Sequence, residues 1–528
     1  MHANDPHRRR FLVRSGNALG LAAASWALPA GAAPAILTAE SARPRLDYGI
    51  QFGDVGVRQA TVWARSDRAS RMWVEVADNE AFRRARSLRG PLASAASDYT
   101  ARLDLPLTHG PAQRFVRVAF EDARSGIRSA WTEGRLRSAP QGRADARPIR
   151  FVWGGDVAGQ GWGINREFGG MRIFEAMRLR DPDFFLNSGD TVYADGPIQA
   201  EVAAEDGRVW RNLVAEGVHK VAETLDEYRG RYRYNLHDDN LRRFAAQVPQ
   251  LWQWDDHEVV NNWSASKDLS ADARYTVKDV AVLARRARQA FLEYSPLRTD
   301  CGSERARIDR VIRYGPQLDV FMLDMRSYRG PNTANLQPGP DADTAFLGRR
   351  QLRELAQGLR QSRATWKIVA ADMPLGLLVP DGVDAQGRAR WEAVANGDDG
   401  LPRGRELEFA ELLRAIREVR NVVWLTADVH YCAAHYYDPG RAAFQDFAPF
   451  WEFVAGPLNA GSFGPNGLDG TFGPQVVFQR AAPKANASPF AGYQFFGEVN
   501  IDADSSALTV DLRGLDGVSV FSKRLQAQ

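Results

Sequence analysis

Leu251-Trp252-Gln253-Trp254-Asp255-Asp256-His257-Glu258-Val259-Val260-Asn261-Asn262-Trp263 runs from an apolar, aromatic flank into three acids, a histidine and a pair of asparagines. Read as a strand that stops where the acids begin, it sets hard oxygen donors beside an imidazole able to move a proton. Read as a capped turn, its Asp and Asn residues need no further explanation. The decision rests on whether other strands of the chain stop in the same way.

They do. Ile149-Arg150-Phe151-Val152-Trp153 reads as a buried strand ended by Gly154-Gly155-Asp156, and Asp183-Phe184-Phe185-Leu186-Asn187 as another ended by Ser188-Gly189-Asp190. Further apolar runs stand at 320–323, 367–370 and 422–425, with helical patterns at 170–180, 277–293, 348–361 and 405–418. Strands alternating with helices predict a layered α/β domain over 149–528, closed by β structure after Phe490 such as 508–512. In open α/β sheets the ligand crevice lies at the carboxyl ends of the strands. Asp156, Asp190, Asp256, Asp324 and Asp428 are therefore expected to converge there. Carboxylates brought together raise one another's pKa, so such a cluster persists most easily around cations.

Side chains near these acids extend the donor set. Tyr193, three residues after Asp190, offers a phenolate suited to ferric iron or, in the plainer reading, a hydrogen-bonded core hydroxyl. Asp428 and His430 alternate, so in extended backbone they share one side. The chain has only 8 histidines, which points to an oxygen-rich site rather than a zinc-type cage. Arg326, after Leu323-Asp324-Met325, suits a phosphate contact or equally a salt bridge with Asp324. Gly159-Gln160-Gly161-Trp162-Gly163 lacks the Lys and Ser/Thr of a P-loop and reads as backbone passing close to the site.

Ahead of this domain, short period-two runs at 60–64, 72–76 and 114–120 predict a small all-β sandwich over 45–138, joined by a linker at 139–148. Residues 1–32 read as an export signal: Arg8-Arg9-Arg10-Phe11-Leu12 fits a twin-arginine motif, an apolar stretch follows, and Ala30-Gly31-Ala32 suits a signal peptidase. A periplasmic or secreted protein is expected, with the twin-arginine machinery as a partner and no stable membrane insertion, since no segment has the uncharged length of a span. A net charge of +3 over 528 residues implies no nucleic-acid partner. Cys301 and Cys432 are the 2 cysteines; a disulfide and two free thiols are both open.

Taken together, Ser188-Gly189-Asp190-Thr191-Val192-Tyr193-Ala194-Asp195, Trp254 to Asn262, Leu323-Asp324-Met325-Arg326 and Ala427-Asp428-Val429-His430 resemble the PhoD-type alkaline phosphatases of the calcineurin-like metallophosphoesterase superfamily. The resemblance implies a metallophosphoesterase-like β-sandwich flanked by helices, behind an immunoglobulin- or fibronectin-like leading domain. It implies hydrolysis of small phosphate esters, with Asp156, Asp190, Tyr193, Asp256, Asn262, Asp428 and His430 as metal ligands. Asp190 would bridge, His257 would protonate the leaving group, oriented by Glu258 or Asp255, and Arg326 would offset phosphate charge. The implied metals are Fe3+ and Ca2+, with Mn2+, Zn2+ and Co2+ as other divalent choices. Some members carry a cysteine ligand where Gly155-Asp156 stands, and the resemblance does not say which of Asn261 and Asn262 faces the metals. A phospholipase-type phosphodiesterase using the same site, and a non-catalytic calcium-stabilised surface-binding protein, are the alternatives; His257 beside Asp256 speaks against the second.

Overall fold

The computed structural model describes residues 40–107, 112–142, 145–298 and 306–528. The expected export signal at 1–32 and Cys301 lie outside the described residues; Cys432 is buried. No helix among the described residues is long and apolar enough to cross a membrane.

Two sheets carry the larger domain. In the first, the strands Ile149–Gly154, Phe184–Ser188 and Gln250–Gln253 run parallel and adjacent. In the second, Leu318–Met322, Trp366–Ala370, Val422–Thr426 and Phe450–Val454 do the same. Side chains alternate across a strand, and the chain uses both faces. Phe151, Trp153, Phe184 and Leu186 from one sheet share a core with Val320, Met322, Ile368 and Leu425 from the other. The intervening Val152, Phe185 and Trp252 face outward onto the helices Arg172–Arg178, Leu225–Asn235 and Val280–Tyr294. Phe321, Val369 and Trp424 pack on Gly348–Gln361 and Glu406–Ala415. The result is the layered α/β domain that the alternation of elements predicts, in the form the resemblance implies, two sheets packed as a sandwich between helices.

The helix starts are written locally. Thr224 accepts from the Glu227 amide while Glu227 returns a carboxylate to the Thr224 amide, a reciprocal cap for Leu225–Asn235. Asp238 and Asp279 cap the two helices that follow them, Asp239–Ala245 and Val280–Tyr294.

The leading segment is less separate than its sequence reads. Ser70–Ala77, Arg86–Ala93, Gln113–Asp122 and Thr132–Arg137 form a four-stranded sheet. Its facing partners Ile50–Gly53, Gln59–Arg65 and Thr100–Pro106 continue the first large sheet, because Gly53 pairs in parallel with Gln250. One face of the leading sandwich is thus an extension of the main sheet. At the other edge Phe495–Ile501 pairs with Ile149–Gly154, followed by Leu508–Gly514 and Ser519–Leu525.

Polar bonds pin the two sheets where their strands end. The Gln253 amide donates to the carbonyls of Leu323 and Ala370, at 2.9 and 2.8 Å. Trp153 Nε1 donates to the Thr426 carbonyl at 3.2 Å. Room for the Trp153 ring comes from Gly497 on the neighbouring strand, where a Cβ would sit 2.0 Å from ring carbon Cζ3. Gly497→Ala is therefore expected to overpack the seam, lowering stability by roughly 1–3 kcal/mol as read from the urea unfolding midpoint.

Candidate metal centre

Six parallel strands, three from each sheet, share one device: an aspartate two residues beyond the last strand residue. Gly154 is followed so by Asp156, Ser188 by Asp190, Gln253 by Asp255, Met322 by Asp324, Ala370 by Asp372 and Thr426 by Asp428. The turns that carry three of them are strained. Asp156, Asp190 and Asp428 have φ of 61°, 47° and 69°, and His430 follows with 60°. Such left-handed backbone at residues with a Cβ costs about 1–3 kcal/mol apiece and gathers at functional sites. Neighbouring turns hold one another: the Val157 amide donates to the Asp190 carbonyl at 2.9 Å, and Ala427 to Asp372 at 2.9 Å.

Glu258 fastens the second turn. One of its oxygens accepts from the Asp190 and Asp255 amides at 3.2 and 2.7 Å, the other from Thr191 and Val192 at 2.7 and 3.4 Å. It thus serves the backbone and does not orient His257. Asp255 does not either, since its carboxylate is bound to Arg326. The residue that holds His257 is Asp195, whose Oδ1 lies 2.7 Å from Nδ1 while its Oδ2 accepts from the Asn261 amide at 3.0 Å.

Three groups of donors gather at the strand ends, each with ligand atoms within 4.8 Å of one another. They are Asp156, Asp190 and His430; Asp190, Asp256 and His257; and Asp255, Asp256 and Asp428. Asp190 belongs to the first two and Asp256 to the last two. Tyr193 joins the first group, its hydroxyl 2.9 Å from His430 Nε2 and its ring centroid 4.3 Å from that of His257. His430 Nδ1 faces the Gly461 carbonyl, which fixes the proton there and leaves Nε2 as the donor nitrogen. Two glycines let the backbone come this close: a Cβ on Gly159 would lie 2.0 Å from Tyr193 Cγ, and one on Gly456 2.1 Å from Asp156 Oδ2.

Other expected residues sit elsewhere. Asp324 turns away, accepting from Trp254 Nε1 at 2.9 Å and from the Arg326 and Ser327 amides. Asn262 gives its backbone amide to Asp256 and its side-chain amide to Asp381 and to the Pro380 carbonyl of the Pro380–Val383 strand. Arg326 is fully buried, bound to Asp255, Asp372 and Glu392 rather than to the side chain of Asp324. Asp195, Asp372 and Glu392 are the residues the sequence reading passed over. Asp372 carried the same signal as its neighbours, an aspartate two beyond an apolar run; Glu392 carried none.

The electrostatics are those of a site built for cations. Both oxygens of Asp156 and one each of Asp255, Asp256 and Asp372 are buried without a hydrogen-bond partner. Unpaired buried charge is costly, and anionic oxygens gathered in this way fit hard metal ions. Burial, with Asp256 and Glu258 adding to it, pushes the Asp156 carboxyl up to about 8 even though His257 pulls it down. Burial alone would lower the pKa of His257, but Asp195, Asp256 and Asp190 override it and hold the imidazole well above the usual histidine range. Burial would likewise raise Asp195; His257 outweighs it and brings that carboxyl down to about 2. Burial keeps His430 neutral, lowering it to about 4. A cleft of about 380 Å³ opens over Asp190, Asp256, His257 and His430, rimmed by Gln160, Asn261, Asn262 and Phe463.

Glu258→Gln is expected to lower stability by roughly 1.5–3 kcal/mol, because either amide orientation aims an NH2 at two backbone N–H groups. Urea unfolding of metal-free protein isolates this effect from metal loss.

A family model described as PhoD-like phosphatase matches residues 151–512, and one for the N-terminal domain of PhoD-like phosphatases matches 31–140. Alkaline phosphatase D of Bacillus subtilis is 28% identical over 283 residues, 50% of this chain. The matched part spans 44% of that relative's length. A solved structure of PhoD superposes with a TM-score of 0.66 at 17% identity, over 92% of this chain and 93% of the other. A purple acid phosphatase from yellow lupin seeds gives 0.53 at 14% identity, over 92% and 74%. At those identities the likeness to the solved structures is one of fold.

Proposed function

Because the chain belongs to the PhoD-like phosphatase family, we propose that it is a metal-dependent hydrolase of phosphate esters, with His257 as the acid for the leaving group. The observation that carries this reading is the Asp195–His257 pair set beside Asp190 and Asp256, the latter with an unpartnered carboxylate oxygen. A cation site needs no imidazole held protonated at its edge; departure of an alkoxide does.

Asp156, Asp190, Tyr193 and His430 would hold one cation with two carboxylates, a phenol and an imidazole, a set suited to ferric iron. Asp190 and Asp256, with Asp428 at the cleft, would supply the oxygen donors that calcium takes, and Mn2+, Zn2+ or Co2+ are the substitutes. Cations held there contribute Lewis acidity toward the phosphoryl group. The protein's own part is positional. Asp195 Oδ1 faces Nδ1, so the proton to be given away sits on Nε2. Tyr193 packs against the imidazole and Glu258 fixes the Asp190 turn, so neither can swing as charge develops. Arg326, beneath the carboxylates, offsets charge from below. Residues 1–32 belong to the same reading as a twin-arginine signal placing the enzyme in the periplasm or outside the cell, and 45–138 as its leading domain.

The test is hydrolysis of p-nitrophenyl phosphate and bis-p-nitrophenyl phosphate before chelation, after it, and after return of iron and calcium. Loss and restoration support the reading; a folded, metal-loaded protein without activity on either overturns it. His257→Ala is expected to keep its metal and lose on the order of 10²-fold or more in kcat for alkyl esters, with little loss for p-nitrophenyl esters, whose leaving group needs no proton. In Asp195→Asn the largest influence raising the His257 pKa is gone. The imidazole then loses its proton at lower pH, so the alkaline limb of the pH–kcat profile should move to lower pH; an unmoved limb would separate Asp195 from the acid.

A further inference from the structure

Asn261 and Asn262 line the cleft, but it is their backbone that reaches the centre. The two amides are consecutive, and each serves a different carboxylate. Asn261 donates to Asp195 Oδ2 at 3.0 Å, and Asp195 Oδ1 is the partner of His257. Asn262 donates to Asp256 Oδ2. One short stretch of loop thus sets the acid's partner and a donor for the cations together. Asn262 has φ of 55°, a left-handed conformation that Asn tolerates better than most residues but that still draws on its surroundings. Support comes from a hairpin distant in sequence. Asp381 lies in the strand Pro380–Val383, which pairs with Ala389–Trp391. The Asn262 side-chain amide donates to Asp381 Oδ1 at 3.0 Å and to the Pro380 carbonyl at 3.2 Å. Asn332 donates to Asp381 Oδ2 at 2.9 Å and to the Asn262 carbonyl at 3.1 Å. Asn262 is thereby gripped by its side chain and by its backbone. Asn332 is buried and is itself fixed, since its Oδ1 accepts from Arg329 at 3.1 Å and from Arg405 at 2.8 Å. An ionised carboxylate binds such amides more strongly than a neutral acceptor does. Beyond Asp381 the hairpin runs out into solvent, with Gly382, Val383 and 385–389 exposed.

We propose that Asp381 is a positioning residue for the leaving-group acid: through the side chain of Asn262 it holds the Asn261–Asn262 loop, and through that loop Asp195 and Asp256 beside His257. The inference rests on the reading of His257 as the acid. Asp381 stands outside the cleft lining, so it acts on the ester only through Asn262. Loosening the loop leaves every donor to the cations in the chain and disturbs chiefly the aim of the imidazole, whose partner Asp195 takes an amide from that loop. Proton delivery is sensitive to such misplacement, and the cost falls on esters whose leaving group needs the proton.

The experiment measures kcat and KM of the whole chain, loaded with iron and calcium, on an alkyl and a p-nitrophenyl ester of phosphate. Both are monoesters or both diesters, whichever the unaltered protein hydrolyses faster. Beside it stand Asp381→Ala, Asp381→Asn, Asn262→Ala and the double variant Asn262→Ala with Asp381→Ala. In Asp381→Ala, kcat is expected to fall about 10-fold for the alkyl ester and less than about 3-fold for the p-nitrophenyl ester, with KM little changed. The double variant is expected to lose no more than Asn262→Ala alone, because the two residues act through one contact. Equal losses on both esters, or none, overturn the inference and leave the proposed function standing; so do single losses that multiply in the double variant. A folded, metal-loaded unaltered protein that hydrolyses neither ester overturns both. If Asp381→Ala does not fold, Asp381→Asn decides. It keeps the shape and one acceptor but sets an NH2 against that of Asn332, and is expected to show the same difference between the esters in reduced form; without that difference the inference falls.

Discussion

The structure depends on how much negative charge it brings together in a dry place. Strands of two sheets end facing one another, and aspartates from both sheets are buried at the seam. Carboxylates at that density cannot all ionise against one another. The chain answers in three ways. Arg326 neutralises the side toward the second sheet, backbone amides of the Asp190 turn take the Glu258 carboxylate, and Asp190, Asp256 and Asp428 line a cleft. The glycines, the strained turns and the capped helices around the seam serve to hold these groups where their charges are offset.

The fold supplies the distances without specifying the chemistry. Gly154↔Asn187 and Gln253↔Ser188 pair in register, so the turns that follow the three adjacent strands begin at the same height. An aspartate two residues on then lands within one residue of the same level in each turn. What distinguishes the site from a row of acids is the placing of Asp195, Tyr193 and His257 on loops after those strands, and of His430 on the loop after Val422–Thr426 of the second sheet. Loops fixed by a rigid scaffold are where such groups are expected.

Much of this is legible in the chain. Apolar runs broken by Gly-Asp announce both the strands and their functional ends, and 149–154, 184–188, 366–370 and 422–426 stand where periodicity puts them. The helix Leu225–Asn235 does not announce itself, because its buried side is Tyr228, Arg231, Tyr232 and Asn235 rather than aliphatic. The partner of His257 escapes for a related reason: adjacent acids in sequence point apart in a tight turn, while Asp195 arrives from another loop. Glu392 reaches Arg326 from a hairpin with no pattern of its own. The continuity of the leading sandwich with the main sheet hangs on one parallel pairing, Gly53 with Gln250, that no local sequence rule reveals.

The strand Ile149–Gly154, which delivers Asp156, lies between Phe184–Ser188 and Phe495–Ile501. One of its edges is therefore covered only by a strand that leaves the ribosome hundreds of residues later. Until Phe495–Ile501 and its two successors arrive, that edge offers bare N–H and C=O groups to any other extended chain. The sheet is a structure of high sequence separation, slow to close and exposed to misassembly while it waits. The strand that delivers Asp156 is thus fully paired only when the carboxyl-terminal strands are in place.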